Sequence, residues 1–148
     1  MFGIEEDEIM KVFTVGYGGR KKEEFLALMR NNGIRTIIDV RLRPDRSSMG
    51  IWVRAKTSNK GIESWLSEAG IGYRSLIELG NIFLEFADWQ ERYRKLLESS
   101  GELLTGRLVG IPDPWCLLCA EKRVAECHRQ QIAEYLAKYK GDEVHHLE

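Results

Sequence analysis

The run IRTIIDV at residues 34–40 is the feature that most constrains what this chain can fold into. It is nearly continuous in β-branched apolar residues, as expected of a strand that is covered on both faces. Strands of that kind occur in parallel sheets, where connecting helices pack on both sides. The run therefore predicts an α/β fold with residues 34–40 as a central strand.

Strand and helix patterns alternate along the rest of the chain. Strand patterns occur in KVFTV, IGYRS, PWCLLCA and EVHHL. Helical spacing of apolar residues occurs in RKKEEFLALMRNNG, GIESWLSEAG, EFADWQERYRKLLESSG and residues 126–139. This alternation implies parallel pairing with right-handed crossovers. We therefore predict an α/β three-layer sandwich with a mainly parallel central sheet.

Length and composition indicate one domain with no strong electrostatic field. A chain of 148 residues that is 43% hydrophobic can bury the core of a single domain. We expect that domain over residues 11–148, preceded by an N-terminal extension over residues 1–10. The 22 basic residues balance 23 acidic ones, so the overall charge favours neither a nucleic acid nor a membrane surface.

The cysteine count and the lack of targeting signals favour the cytosol. Three cysteines is an odd number, no secretory signal pattern begins the chain, and no apolar run approaches the roughly 18 residues that span a bilayer. We therefore expect a cytoplasmic protein with no membrane partner. In a reducing compartment a cysteine is more often buried, reactive or metal-bound than part of a structural disulfide.

Three predicted strands end in residues suited to a ligand site. The first ends at Val15, the second at Asp39 and the third near Cys119. Ligands of open α/β sheets bind beyond the carboxyl ends of the strands. The loops after these three strands are therefore expected to line the opening of one ligand cleft, called the mouth below. Asp39 follows an apolar strand, so it is either exposed at that mouth or paired with a base such as Arg41.

The turn GYGG follows the first strand and precedes a helix. Its glycines let the backbone approach a ligand and leave amides near a helix N-terminus, which suits an anion. Gly16, Tyr17 and Gly18 are therefore candidate ligand-binding residues. The spacing is neither the dinucleotide fingerprint nor the P-loop pattern. A tight strand-to-helix turn explains the glycines equally well.

Residues 41–60 carry a local excess of five positive charges. Arg41, Arg43 and Arg46 are candidates to bind a phosphate, and Trp52 is a candidate to stack on a base. That combination is typical of nucleotide sites and single-strand binders. The alternative is a solvated loop.

Cys116 and Cys119 have the spacing of a metal-binding pair. They lie in a predicted strand, however, where residues three apart point to opposite faces, and the strand lacks the turn that a zinc knuckle requires. We therefore predict no metal site and no cofactor. Cys116 is expected in the core, and Cys119 at the mouth.

Cys127 is predicted in the first turn of the last helix. Free amides and the helix dipole stabilise a thiolate there, and Arg129 or a protonated His128 would strengthen the effect. Cys127 is therefore the candidate nucleophile and Cys119 the reserve. A disulfide that formed readily between these two cysteines would point to redox sensing instead of hydrolysis or transfer. The alternative is that His128 and Arg129 pack against the helix or cap it.

Two families of thiol enzymes can be compared by spacing. Cysteine-dependent phosphatases have an arginine six residues after the cysteine, whereas this chain has Ala125 and Ala133 at those positions. Rhodanese-like domains share the order of a DVR-type strand followed by a cysteine-containing strand. Their glycine- and arginine-bearing loop after the cysteine is absent, so this similarity is an analogy only.

Taken together, the motifs resemble a bacterial and archaeal family known as domain of unknown function 488. The resemblance runs from about Val12 to Leu147 and rests on FTVGYGG, FLALMRNNGIRTIIDVRLRP, GIGYRSLIELGN, LLCAEKRVAECHRQQIAEYL and VHHL. The resemblance implies that the candidate site residues are Gly16, Asp39, Arg41, Cys119, Glu121, Cys127, His128 and Arg129. The family itself is uncharacterised.

This chain departs from the family pattern at three places. Members often read TIGHS where this chain has TVGYG, so Tyr17 and Gly18 replace a histidine and a hydroxyl residue. That argues against an acid–base role at these positions. Asn81 ends LGN where the family has LGG.

Our leading hypothesis is an anion-binding cleft with thiol-dependent transferase or hydrolase activity on a nucleotide or another phosphorylated compound. The candidate catalytic residues are Cys127, Cys119, Asp39 and His128. One rival is a non-catalytic module that binds nucleic acid or nucleotide through residues 41–60. Another is a small scaffold with structural cysteines. The oligomeric state does not follow from the sequence.

Overall fold

The structure is a computed structural model that describes residues 10–47 and 50–148. Within those ranges, five strands form one sheet, and every pair in it is parallel. The strands are β1 (Lys11–Gly16), β2 (Thr36–Asp39), β3 (Gly72–Ser75), β4 (Trp115–Cys119) and β5 (Glu143–Leu147). Their order across the sheet is β3-β2-β4-β1-β5. The predicted α/β fold with a parallel central sheet is confirmed.

Four α-helices cover the two faces of this sheet in the described part of the chain. They are α1 (Lys22–Asn31), α2 (Gly61–Glu68), α3 (Trp89–Leu104) and α4 (Arg129–Lys140). The last helix begins at Arg129, three residues later than expected. Residues 124–126 form a short 3-10 helix, and Cys127 then adopts an extended backbone before α4.

The core divides into two clusters, one on each face of the sheet. Phe25 and Leu66, from α1 and α2, belong to the same cluster as Ile37. Tyr93 and Leu136, from α3 and α4, belong to the opposite cluster. All four residues of β2 are buried, which agrees with its prediction as a central strand. Each buried leucine or phenylalanine side chain contributes about 1.5–3 kcal/mol relative to exposure.

The first strand begins at Lys11. The predicted extension over residues 1–10 falls almost wholly outside the described residues.

None of the helices that the structure describes is long and apolar enough to cross a membrane.

The strand order brings three loops to one edge of the sheet. β4 lies between β1 and β2, with Gly16 beside Cys119 in the first pairing and Asp39 beside Leu118 in the second. Because all three strands are parallel, the segments that follow them leave the same edge. This geometry positions the candidate site.

Candidate functional site

A cavity of about 440 Å³ opens at the carboxyl edge of the sheet. It lies between the segments that follow β1, β2 and β4 and the segment at residues 81–85. Its lining residues are Tyr17, Arg41, Leu42, Arg43, Arg46, Asn81, Ile82, Leu84, Glu85, Cys119, Ala120, Glu121, Glu126, Cys127 and His128. Eight of the sequence-predicted site residues are therefore brought together here.

Asp39 is fully buried at the end of β2 and holds Arg41. Its two carboxylate oxygens accept hydrogen bonds from Nε and Nη2 of Arg41, at 2.9 and 2.6 Å. The Tyr73 hydroxyl also donates to Asp39, at 2.6 Å. Asp39 is therefore paired with Arg41 and does not line the cavity, which leaves it placed to orient Arg41.

The pKa values in this cluster follow from burial and from the ion pair. Burial lowers the pKa of Arg41, but hydrogen bonding and attraction to Asp39 outweigh it and raise the pKa above its usual value. Burial, followed by the charge of Asp39, raises the pKa of Tyr73 far above its ordinary range. Arg41 is therefore a fixed cation, and Tyr73 stays a neutral donor.

Tyr17 connects this ion pair to the aromatic side of the core. Its hydroxyl accepts a hydrogen bond from Nη1 of Arg41 at 3.2 Å and lies 3.2 Å from the hydroxyl of Ser47. Its ring stacks on Trp52 with ring centroids 4.6 Å apart. Tyr17 thus links the Arg41 side chain to the aromatic core around Trp52.

The glycines of the first loop allow two loops to touch. A side chain at Gly16 would place its Cβ atom 1.6 Å from the carbonyl oxygen of Glu121, and one at Gly18 would lie 2.8 Å from that of Ala120. The amides of Tyr17 and Gly18 donate to the carbonyls of Cys119 and Ala120. The expectation of free amides is therefore wrong for Tyr17 and Gly18, because the loop after β4 uses them.

The basic segment is less available than its composition indicates. Arg43 is paired with Asp45 at 2.9 Å, and both side chains are exposed. Trp52 is fully buried against Tyr17 and Phe25, so it cannot stack on a base as predicted. Its place in a core cluster, rather than on a solvated loop, is the reason. Residues 48 and 49 of this segment lie outside the described residues.

Cys116 and Cys119 point to opposite faces of the sheet, as the strand pattern predicts. Cys116 belongs to one core cluster and Cys119 to the other. Burial raises the pKa of the Cys116 thiol far above its usual value. Across residues 10–47 and 50–148, no group of three or more His, Cys, Asp or Glu side chains could hold a metal ion.

Cys119 and Cys127 are joined by a disulfide. The sequence favoured free thiols at both positions, so this pairing is a correction. It arises because the segment after β4 turns back across the carboxyl edge before α4 begins. Both residues line the cavity although each is only 2% exposed.

Cys127 lies just before α4 and not within its first turn. Its Sγ accepts a hydrogen bond from the backbone amide of Arg129 at 3.4 Å, as a capping side chain would. It also lies 3.8 Å from Nδ1 of His128. The predicted help from a helix amide is thus present, although the residue precedes the helix.

His128 is buried and neutral. Its Nε2 lies 2.8 Å from the carbonyl oxygen of Val40 and must donate to it, which leaves Nδ1 as an acceptor facing Cys127. Burial lowers the pKa of His128 to about 4. A protonated His128, which would have favoured a thiolate at Cys127, is therefore disfavoured at neutral pH, because the imidazolium would lose its hydration.

Arg129 is the least expected part of the site. It is fully buried, and its Nη1 donates to Sγ of Cys119 at 3.2 Å and to the carbonyl of Glu121 at 2.6 Å. Its Nη2 donates to the carbonyl of Lys122 at 3.1 Å. Burial lowers the pKa of Arg129, but a guanidinium remains charged in proteins. The sequence placed this charge beside Cys127, whereas its side chain contacts Cys119.

No carboxylate pairs with Arg129 among the ion pairs of the described residues. Its hydrogen-bond acceptors are two carbonyls, a sulfur and the hydroxyl of Thr14. A buried cation that meets only neutral acceptors is costly unless an anion joins it. A thiolate at Cys119 would supply that anion.

Thr14 and His146 belong to the same network and were not predicted. Thr14 accepts from Nε of Arg129 at 3.2 Å, and its hydroxyl lies 2.6 Å from Nδ1 of His146. The sequence signal was the single polar residue in the otherwise apolar run VFTV. The apolar cavity residues Leu42, Ile82 and Leu84 were also missed, because isolated exposed apolar residues have no distinctive pattern.

Glu121, which the family resemblance singled out, contributes its backbone to the site. Its carbonyl accepts from Arg129, while its exposed side chain lines the cavity. The residue thus links the β4 loop to α4. The sequence pattern LLCAE marked the position but not this role.

Comparison with known protein families yields one match. The family described as "Domain of unknown function DUF488" matches residues 21–136, which is most of the chain. No curated protein and no solved structure matches.

Proposed function

Because the chain belongs to the DUF488 family, whose description assigns no activity, we propose a function from the geometry of the cavity. The chain catalyses thiol-dependent group transfer on a small ligand that carries an acidic group, with Cys119 as the nucleophile. The observation that carries this proposal is the buried guanidinium of Arg129, which donates to Sγ of Cys119 at 3.2 Å.

The proposal prefers Cys119 to Cys127 because their donors differ in charge. Hydrogen bonds from a charged donor are about twice as strong as those between neutral groups. Cys119 faces the guanidinium of Arg129, whereas Cys127 faces a backbone amide at 3.4 Å. The thiolate form is therefore favoured more strongly at Cys119.

Recognition of the acidic group is assigned to local hydrogen bonds. Three arginines and three glutamates line the cavity, so its net charge does not select an anion. Arg41 is oriented by Asp39 and has N–H groups left over from its bonds to Asp39 and Tyr17. Arg41 and Arg46 could therefore bind a phosphate or a carboxylate directly.

The thiol pKa tests the role of Arg129. In reduced protein, alkylation of each cysteine by iodoacetamide is followed against pH and located by peptide mass spectrometry. We expect the pKa of Cys119 to lie below about 8.5, the ordinary value. Arg129→Gln should raise it, and Arg129→Lys should restore part of the depression. A Cys119 pKa that is the same in wild type and Arg129→Gln would refute the role.

Protection from alkylation tests the ligand. Phenyl phosphate and benzoate should slow the alkylation of Cys119, whereas the neutral isostere benzamide should not. Arg46→Ala should weaken that protection without changing the Cys119 pKa. Equal protection by benzamide would show that the acidic group is not recognised.

A further inference from the structure

Building on the proposed function, we infer that Cys127 is the resolving thiol of Cys119 and that the substrates are small disulfides with an acidic group and an apolar body. The two sulfurs act in sequence. Cys119 attacks the substrate, and Cys127 then releases the bound half.

The position of the two sulfurs supports sequential action. They are bonded to each other, and both residues line the same cavity. A group attached to Cys119 would therefore occupy the cavity while Cys127 remained within reach of the Cys119 sulfur. Cys116 takes no part, because it is fully buried on the other face of the sheet.

The environments of the two thiols assign their order. Arg129 favours the thiolate of Cys119. His128 presents a neutral Nδ1 acceptor to Cys127, and a hydrogen bond from the thiol to that atom favours the protonated form. Cys119 is thus the attacking group, and Cys127 stays protonated until a mixed disulfide has formed.

Arg129 keeps its place without help from either sulfur. Its guanidinium is held by Thr14 and by the carbonyls of Glu121 and Lys122. Breaking the Cys119–Cys127 bond removes none of these three contacts. The charge is therefore in position when the reduced protein meets its substrate.

The apolar part of the cavity lining indicates the substrate class. Leu42, Ile82 and Leu84 line it and are 40%, 60% and 66% exposed. Arg41 and Arg46 line the same cavity. A ligand with an apolar body and one acidic group would cover the leucine and isoleucine side chains and bind the arginines.

The reaction balances in two exchanges. The thiolate of Cys119 attacks one sulfur of the substrate R–S–S–R, which forms a mixed disulfide and expels one R–S⁻. Cys127 then loses its proton to solvent, attacks Sγ of Cys119, and expels the second R–S⁻. One substrate disulfide is reduced and two protein thiols are oxidised. A dithiol reductant such as dithiothreitol returns the protein to its reduced form.

The experiment uses 5,5′-dithiobis(2-nitrobenzoate), an aromatic disulfide with carboxylates, on reduced and desalted protein. We expect the wild type to release both halves of one reagent molecule and to keep no adduct. Cys127→Ser and Cys127→Ala should release one half and retain the other on Cys119 by peptide mass spectrometry. Cys119→Ser should release neither half of the reagent at the wild-type rate. Circular dichroism and urea midpoints identify variants that fail to fold.

The outcomes separate this inference from the proposed function. Retention of the adduct by the wild type, or its release by both folded Cys127 variants, would overturn the resolving role and leave the nucleophile intact. An adduct that forms first on Cys127 would overturn the proposed nucleophile as well. The uncharged reagent 4,4′-dithiodipyridine is the control for recognition. Arg46→Ala should slow the reaction of the charged reagent by about tenfold and leave the uncharged one unchanged, and equal effects would overturn the substrate class.

Discussion

Asp39 and Arg41 show how one buried residue can determine the geometry of another. Asp39 is fully buried, Arg41 is 7% exposed, and their two-point contact orients a side chain that lines the cavity. A carboxylate in such a position is not accessible to a ligand as an acid or a base. Its contribution is to hold a cation whose burial would otherwise be unfavourable.

Asp39→Asn should therefore destabilise the fold strongly. It leaves the buried charge of Arg41 without an anion, and removal of one partner of a buried pair costs about 3–5 kcal/mol. The free energy of unfolding by urea measures the loss. Asp45→Asn is the matched control, because it removes the exposed partner of Arg43 and should change the free energy of unfolding far less. Equal effects of the two substitutions would contradict the assignment.

His128 should make stability depend on pH between about 4 and 6.5. Burial lowers its pKa to about 4 in the folded chain, so between these values only the unfolded chain binds the proton. Stability is therefore full above pH 6.5 and falls as the pH drops. From pH 7 to pH 5 the loss from this residue should be about 2 kcal/mol. His128→Gln should flatten the pH dependence of the urea midpoint, and an unchanged slope would refute the buried neutral histidine.

At the level of elements, the contact between the β1 and β4 loops is what builds the site. Their facing ends, Gly16 and Cys119, are neighbours in the sheet, and the next residues bond through their backbones. The absence of a side chain at Gly16 lets the Glu121 carbonyl come close. That carbonyl in turn holds Arg129 at the start of α4.

Gly16→Ala should disturb both stability and thiol chemistry. The new methyl group would fall 1.6 Å from a backbone oxygen, so one of the two loops must move. We expect a loss of about 2–3 kcal/mol and a higher pKa for the Cys119 thiol, measured by urea unfolding and by alkylation. Gly106→Ala is the control, because nothing lies within 4 Å of its added Cβ atom. If Gly16→Ala left the pKa of the Cys119 thiol unchanged, the loop contact would have no influence on the thiol.

For the molecule as a whole, the disulfide is a covalent connection between the sheet and the segment before α4. Cys119 ends β4 and Cys127 precedes α4 by two residues, so the bond joins the end of this central strand to the segment that leads into the last helix. The oxidised and reduced forms therefore differ in the cross-linking of the unfolded chain.

Reduction should lower the free energy of unfolding without changing the fold. The bond spans 8 residues of sequence, and closing a loop of that size in the unfolded chain is worth about 2–3 kcal/mol on the chain-entropy model. Urea midpoints with and without reductant measure the difference. Cys116→Ser should keep it, whereas Cys127→Ser should remove it. Identical midpoints for oxidised and reduced wild type would show that the cross-link does not restrict the unfolded chain.

The sequence alone determined the fold class, because periodicity is a local property. The apolar run around Ile37 and the alternation of strand and helix predicted a parallel sheet, and the opposite orientation of Cys116 and Cys119 followed from strand geometry. Strand order did not follow, since it depends on how crossovers pack and not on any one segment.

Tertiary structure alone decided which partners the site residues have. Trp52 looked available for stacking but is buried, because core packing overrode the polarity of its neighbours. Arg129 was expected beside Cys127 from its position in the sequence, yet its long side chain reaches back to Cys119. Charge density along a chain is readable from the sequence, but the partner of each buried charge is set by strands and loops that are distant in sequence and meet only when the sheet forms.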